Sequence, residues 1–229
     1  MNPASCKAFR ILIMAASLSI SGAFASGSPV CDATPVVKDA TPDEIRDFFA
    51  KQKKSVVTFV GYSGSGYEDE KAMLAEAESA LEEFDPSGTL VNIGATPDGI
   101  GAIYALARER GFVTTGIVSS QARKYGISPS ACVDYVFYVE DATWGGYTDN
   151  GKRLAPTSRA LVENSDILIG IGGGEVARDE LMAARSMGKE VRFIAADMNH
   201  AKVRAKASKK GLPQPQDFRG TAHEVFGAE

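Results

Sequence analysis

The feature that most constrains this chain is a repeated alternation between short, continuous apolar runs and longer amphipathic segments. Val56-Val57-Thr58-Phe59-Val60 is β-branched or aromatic throughout and stops at Gly61. Residues 90–93, 112–118, 133–139, 167–171 and 191–195 repeat that character. A strand apolar at nearly every position has both faces buried, as happens in a parallel sheet covered by helices on its two sides. Between the runs, residues 72–84, 100–110 and 176–187 are helix-like, the last ending at Gly188. The expected fold is therefore α/β, a single doubly wound, Rossmann-like parallel sheet with helices on both faces. At 229 residues, with 44% hydrophobic and 24% charged residues, the chain can bury one substantial core.

The N-terminal segment stands apart from this pattern. Lys7 and Arg10 precede a mostly apolar stretch over residues 11–20, and Ala23-Phe24-Ala25 has the small-residue spacing of a signal-peptidase site. Residues 1–25 thus read as a signal peptide, too short and too quickly broken for a membrane span. The chain is expected to be exported, to the periplasm or outside the cell. The alternative is a start codon placed too early in front of a cytosolic protein. The formal net charge is −4, and loss of Lys7 and Arg10 makes the remainder more acidic. With no basic block, neither nucleic acid nor an anionic membrane is an expected partner. Cys31 and Cys132 remain, either paired across an oxidised domain or as two unrelated thiols. Residues 26–40 read as a linker and residues 41–229 as the domain, with an extended C-terminal tail after Gly211. Thr41-Pro42-Asp43-Glu44 opens the domain as a capping box.

In doubly wound sheets ligands bind beyond the carboxyl ends of the strands. Three of those exits are glycine-rich: residues 61–67, with Gly61, Ser63, Gly64 and Ser65; residues 94–101, with Gly94, Thr96, Gly99 and Gly101; and residues 170–175, with Gly172, Gly173, Gly174 and Glu175. Glycine lets a phosphate approach the backbone, and a following helix offers free N–H groups. Ser63, Ser65 and Thr96 add hydroxyls, and Tyr67 an aromatic face for a base. Glycine also serves tight strand-to-helix turns, so each loop alone is weak. No Gly-Lys-Ser/Thr closes a P-loop, and no G-x-G-x-x-G follows the first strand. No bound cofactor is expected.

The order of these motifs resembles the SLOG superfamily, which includes the Lonely Guy phosphoribohydrolases formerly described as lysine decarboxylases. Val57 to Gly64 is similar to the family's first-strand motif, and residues 90–102 to its second, with Gly94 and Gly101 at family glycine positions. Residues 165–174 are similar to the strand leading into the family's Pro-Gly-Gly-x-Gly-Thr-x-x-Glu signature. In that register Gly173 and Gly174 match the paired glycines and Glu180 the catalytic glutamate. Gly172 stands where the family has proline, and Val176-Ala177 where Gly-Thr grips phosphate. The family's arginine has no ungapped counterpart, Arg159 lying two positions off. The resemblance implies binding of a nucleotide or nucleotide derivative and, for an enzyme, hydrolysis of the N-glycosidic bond of a nucleoside monophosphate. The replaced residues favour a second reading, a non-catalytic sensing or interaction module. Members of the group are often dimers, so the resemblance leaves a homodimer open.

Other residues carry two readings each. Glu175, Asp179 and Glu180 either complement the helix dipole, or Glu180 meets a ribose hydroxyl or assists cleavage as acid or base. Arg178 is expected in a surface pair. Residues 140–157 form a long polar segment whose Trp144 sits where a substrate lid would lie, or folds over its own loop. His200 near Asp197 reads as a helix-start polar cluster, and residues 202–210 as a solvated basic face. Two histidines and no paired cysteine motif give no metal site.

Overall fold

A computed structural model describes residues 1, 31, 34–148 and 151–228. Apart from Met1, the expected signal peptide lies outside the described residues, as do residues 26–30, 32 and 33 of the expected linker.

In chain order the elements are β1 (Val36–Asp39), α1 (Pro42–Gln52), β2 (Ser55–Gly61), α2 (Glu70–Leu81), β3 (Thr89–Ile93), a 3-10 turn (Gly99–Ala102) and α3 (Ile103–Glu109). There follow β4 (Val113–Ser119), α4 (Gln121–Lys124), β5 (Tyr135–Val139), β6 (Tyr147–Thr148), β7 (Arg153–Leu154), α5 (Pro156–Glu163) and β8 (Ile167–Ile171). The chain ends with α6 (Glu175–Ser186), β9 (Glu190–Ile194), α7 (His200–Lys209) and α8 (Gly220–Phe226). The main sheet has seven strands in the order β1-β5-β4-β3-β2-β8-β9, every neighbouring pair parallel. β6 and β7 form a separate two-stranded antiparallel hairpin.

The two faces are filled by alternate strand residues, as the pleat requires. Val57, Phe59, Val91, Ile93, Val136, Tyr138, Ile169 and Ile171 share one core with Met73, Ala77 and Leu81 of α2 and Ile103, Tyr104 and Ala107 of α3. Val56, Val60, Leu90, Phe137, Val139 and Leu168 share the other with residues of α1, α5, α6 and α8. The sheet is therefore the doubly wound, Rossmann-like one expected. α1 starts as its sequence dictates. Thr41 Oγ1 accepts the Glu44 N–H at 3.3 Å, and the Glu44 carboxylate accepts the Thr41 N–H at 2.8 Å.

Two expectations need correction. Residues 36–39, inside the expected linker, form the edge strand β1 alongside β5. All four are exposed, so they lack the doubly buried apolar pattern that marks β2, β3, β4, β5 and β8. The Cys31–Cys132 disulfide, with Cα atoms 4.7 Å apart, and an Asp39–Arg123 ion pair fasten this segment to the domain. The tail is not loosely extended. Residues 212–219 have no helix or strand, but Phe218 is buried, and α8 then buries Ala222 and Phe226 against the α6 side of the sheet. Apolar contact outweighs the two prolines there.

Candidate functional site

The chain runs outward from β2 in both directions, through β3, β4 and β5 on one side and through β8 and β9 on the other. This reversal is the topological switch point, where the loops leaving adjacent strands diverge and leave a crevice. A cavity of about 300 Å³ opens there, lined from the ends of β2, β3 and β4, from α5, and from the first turns of α6.

Of the residues singled out in the sequence, Gly61, Ser63, Gly64, Gly94, Thr96 and Glu180 line this cavity. Ser65, Gly99, Gly101, Gly172, Gly173, Gly174 and Glu175 do not. Gly99, Gly101, Gly172 and Gly173 in the second group serve packing. Gly99 has φ +59°, and a Cβ there would collide with the Tyr62 carbonyl; its neighbour Ile100 donates its N–H to the same carbonyl at 2.7 Å. Gly173 has φ +136°, and a Cβ would lie 2.6 Å from that of Ala177. The Gly173 carbonyl accepts the Ala222 N–H at 3.1 Å, so the third glycine loop is covered by the tail. Tyr62 completes that cover, its hydroxyl donating to the Ala196 and Arg219 carbonyls. Tyr67 offers no face to a ligand. It is buried, its hydroxyl accepts the Tyr62 N–H, and it donates to the Ile171 carbonyl at 2.7 Å. The Thr96 hydroxyl is held within its own turn, bonding to the Asp98 carbonyl and amide.

Glu180 is the group with the most distinctive chemistry. It lies in the second turn of α6 and is 5% exposed. Its Oε1 accepts the Ser158 Oγ–H at 2.6 Å, and Ser158 Oγ in turn accepts the Gly146 N–H at 2.8 Å. Burial pushes the Glu180 carboxyl up to about 7; the Ser158 hydrogen bond pulls the other way, and the charge of Asp179 adds to the rise. The carboxyl therefore changes protonation near neutral pH and can act as acid or base. Asp179 faces elsewhere, accepting the Tyr147 N–H at 2.7 Å and pairing with Arg178. Arg178 is thus paired, but with the adjacent Asp179, which is buried, and not in the surface pair expected.

The segment expected to be a lid is anchored to this acidic helix. Asp141 accepts the Thr157 N–H at 2.9 Å, capping α5 from a distance, and also holds the Thr143 amide and hydroxyl. Trp144 lines the cavity and stacks on Tyr125, ring centroids 5.7 Å apart at 26°. It is 47% exposed, and so it is not folded away over its own loop. Thr157, Ser158, Ser119, Ser128 and Tyr138 belong to the site or its support and carry no motif. His200 pairs with Asp197 at 2.9 Å and stacks on Phe218, away from the cavity lining. Among the described residues no group of His, Cys, Asp or Glu is arranged to hold a metal, and no helix is long and apolar enough to cross a membrane.

The three motif segments thus occupy β2, β3 and the β8–α6 junction, around one switch-point cavity that contains Glu180. The chain resembles the SLOG superfamily. The sequence matches no protein-family model, and no curated protein matches it. Among solved structures it is similar to the structural-genomics protein TM1055, with 25% identity over 60% of this chain and 72% of that one and a TM-score of 0.43. It is also similar to the Moco carrier protein of Chlamydomonas reinhardtii, at 17% identity over 69% and 85% of the two chains and a TM-score of 0.44. The molybdenum cofactor binding protein of the phototrophic bacterium Rippkaea orientalis is 15% identical over the same shares, with a TM-score of 0.45.

Proposed function

We propose that the switch-point cavity binds a nucleotide or nucleotide derivative. The observation that carries this reading is the convergence of Gly61, Ser63, Gly64, Gly94, Thr96 and Glu180 on one cavity. Glycine-bearing turns at the ends of β2 and β3 give a ligand close access to backbone N–H groups, while Glu180 supplies one ionisable carboxyl. A half-protonated carboxyl at neutral pH suits proton donation to a departing base or proton abstraction from water, the two steps of N-glycosidic hydrolysis. No basic side chain accompanies it among the described residues lining the cavity. That lack favours the second reading, a ligand-sensing module without turnover. Export is part of the same proposal, and the Cys31–Cys132 disulfide supports it, because such bonds persist in oxidising compartments.

The test is a thermal-shift screen of the purified protein against nucleotides, nucleosides and sugar phosphates, with released base quantified in parallel. Stabilisation without base release supports the sensor. Base release lost in Glu180→Ala supports the hydrolase. Neither effect with any compound refutes ligand binding of this class.

A further inference from the structure

The lining of the cavity narrows the class of ligand, and this step rests on the function proposed above. Among its described residues there is no lysine, arginine or histidine; the ionisable side chains are Asp98, Tyr138 and Glu180. Proteins that hold a phosphate usually add charge-assisted bonds from arginine or lysine to any backbone cradle. Here a phosphate would meet a wall of aliphatic side chains, two carboxyls and the ends of two turns. The two cations of α4, beside the lining residue Ala122, are otherwise engaged. Arg123 pairs with Asp39 and lies 3.9 Å over the Tyr138 ring, and Lys124 lies over Tyr125. Neither lines the cavity.

The remaining lining suits an uncharged heteroaromatic compound with hydroxyl groups. Trp144 presents a half-exposed indole at the cavity, and its stacking on Tyr125 holds the ring in place. An indole fixed in this way is a platform for a planar base. The cavity, at about 300 Å³, stands at the small end of the ligand-pocket range of roughly 300–1,000 Å³. That size suits a single base and sugar better than a dinucleotide. Thr157 also lines the cavity, is 5% exposed, and its hydroxyl has no hydrogen-bond partner. Buried hydroxyls are normally paired, and this one keeps its bonding capacity unused within the cavity wall, where a small shift of the wall would bring it against a ligand hydroxyl. We infer that the ligand is a nucleoside lacking phosphate, its base on Trp144 and a sugar hydroxyl on Thr157.

The assay uses the full chain and its single tryptophan. Adenosine, guanosine, cytidine and uridine, with their 5′-monophosphates, are titrated at pH 7, following Trp144 fluorescence and isothermal calorimetry together. The expected result is that at least one nucleoside binds, perturbs the fluorescence, and binds at least tenfold tighter than its monophosphate. Thr157→Val and, by calorimetry, Trp144→Ala should each weaken the nucleoside at least fivefold with the melting temperature of the free protein retained. Ser128→Lys, which puts a cation on the lining, should narrow the gap between nucleoside and monophosphate. A monophosphate that binds as tightly as its nucleoside, or tighter, overturns this inference and leaves the nucleotide-derivative reading standing. Unchanged affinity in both Trp144→Ala and Thr157→Val overturns the assigned contacts. If no member of either series binds, both readings fall.

Discussion

Replacing Glu180 by glutamine should change how stability depends on pH. The amide keeps the shape of the carboxyl and its Oε1 can still accept the Ser158 hydroxyl, so the substitution mainly removes the titration. In the folded chain the carboxyl titrates near 7 rather than at its ordinary 4.5, because burial disfavours the charged form. The sign follows from linkage. A group whose pKa is raised by folding contributes stability that is fully present below the unfolded value and is lost as pH rises through the folded value. Between about pH 4.5 and pH 7 the unfolded chain ionises Glu180 while the native chain keeps it protonated, so native stability falls progressively across that window. A shift of this size corresponds to about 3 kcal/mol across that window, as an order of magnitude. The assay is urea denaturation of wild type and Glu180→Gln at pH 5, 6, 7 and 8, subtracting one unfolding free energy from the other at each pH. The subtraction cancels the titration of groups common to both chains. The Glu180→Gln variant should gain on wild type from pH 5 to pH 7 and level off toward pH 8. Two curves that stay parallel would show that the carboxyl is not buried as described, and the acid–base role built on it would fail with them.

Two further substitutions or treatments probe the segments that sequence patterning did not resolve. Phe226→Ala, at a side chain 3% exposed in the second core, should cost about 3–5 kcal/mol in chemical denaturation; a change below about 1 kcal/mol would mean that α8 is not docked. Reducing the Cys31–Cys132 bond frees a loop closed over a sequence separation of 101 and should lower the unfolding free energy by about 2–4 kcal/mol. An unchanged denaturation midpoint with dithiothreitol would argue that the N-terminal segment contributes little to the fold.

The central strands β2, β3, β4, β5 and β8 are legible because burial on both faces leaves a largely apolar run, and the edge strand β9 keeps enough of one in Val191, Phe193 and Ile194 to be read despite Arg192. β1 is invisible on that criterion because it is an exposed edge whose pairing comes from β5 and whose anchorage comes from a disulfide. α8 is missed for a related reason. It has seven residues, follows two prolines, and owes its stability to Ala222 and Phe226 meeting the core rather than to local propensity. In the site, the glycine-rich loops are visible but their division of labour is not. A glycine that lines the cavity, such as Gly94, looks in sequence like Gly99, which makes room for the Tyr62 carbonyl. Thr157 and Ser158 carry no motif because their partners are distant in the chain: Ser158 meets Glu180 across a separation of 22 residues.

What connects the two halves of the site is the position of Val176 and Ala177. In the SLOG resemblance they stand where Gly-Thr grips a phosphate, and a sequence comparison alone reads their presence as loss. The structure puts both on the cavity lining, one turn before Glu180. Methyl groups there remove a hydroxyl donor and make the N-terminus of α6 a less welcoming place for an anion, in a cavity with no basic side chain among its described lining residues. Close by, the tail closes the third glycine loop by bonding to the Gly173 carbonyl. Each change acts in the same direction, away from a charged phosphate and toward an enclosed, weakly polar chamber. That same enclosure is what raises the Glu180 carboxyl toward neutrality, because a nearby lysine or arginine would have held it ionised. Val176, Ala177, the lack of a basic side chain among the described lining residues and the raised Glu180 carboxyl are therefore one physical arrangement, and it is the surroundings that the proposed phosphate-free ligand would meet.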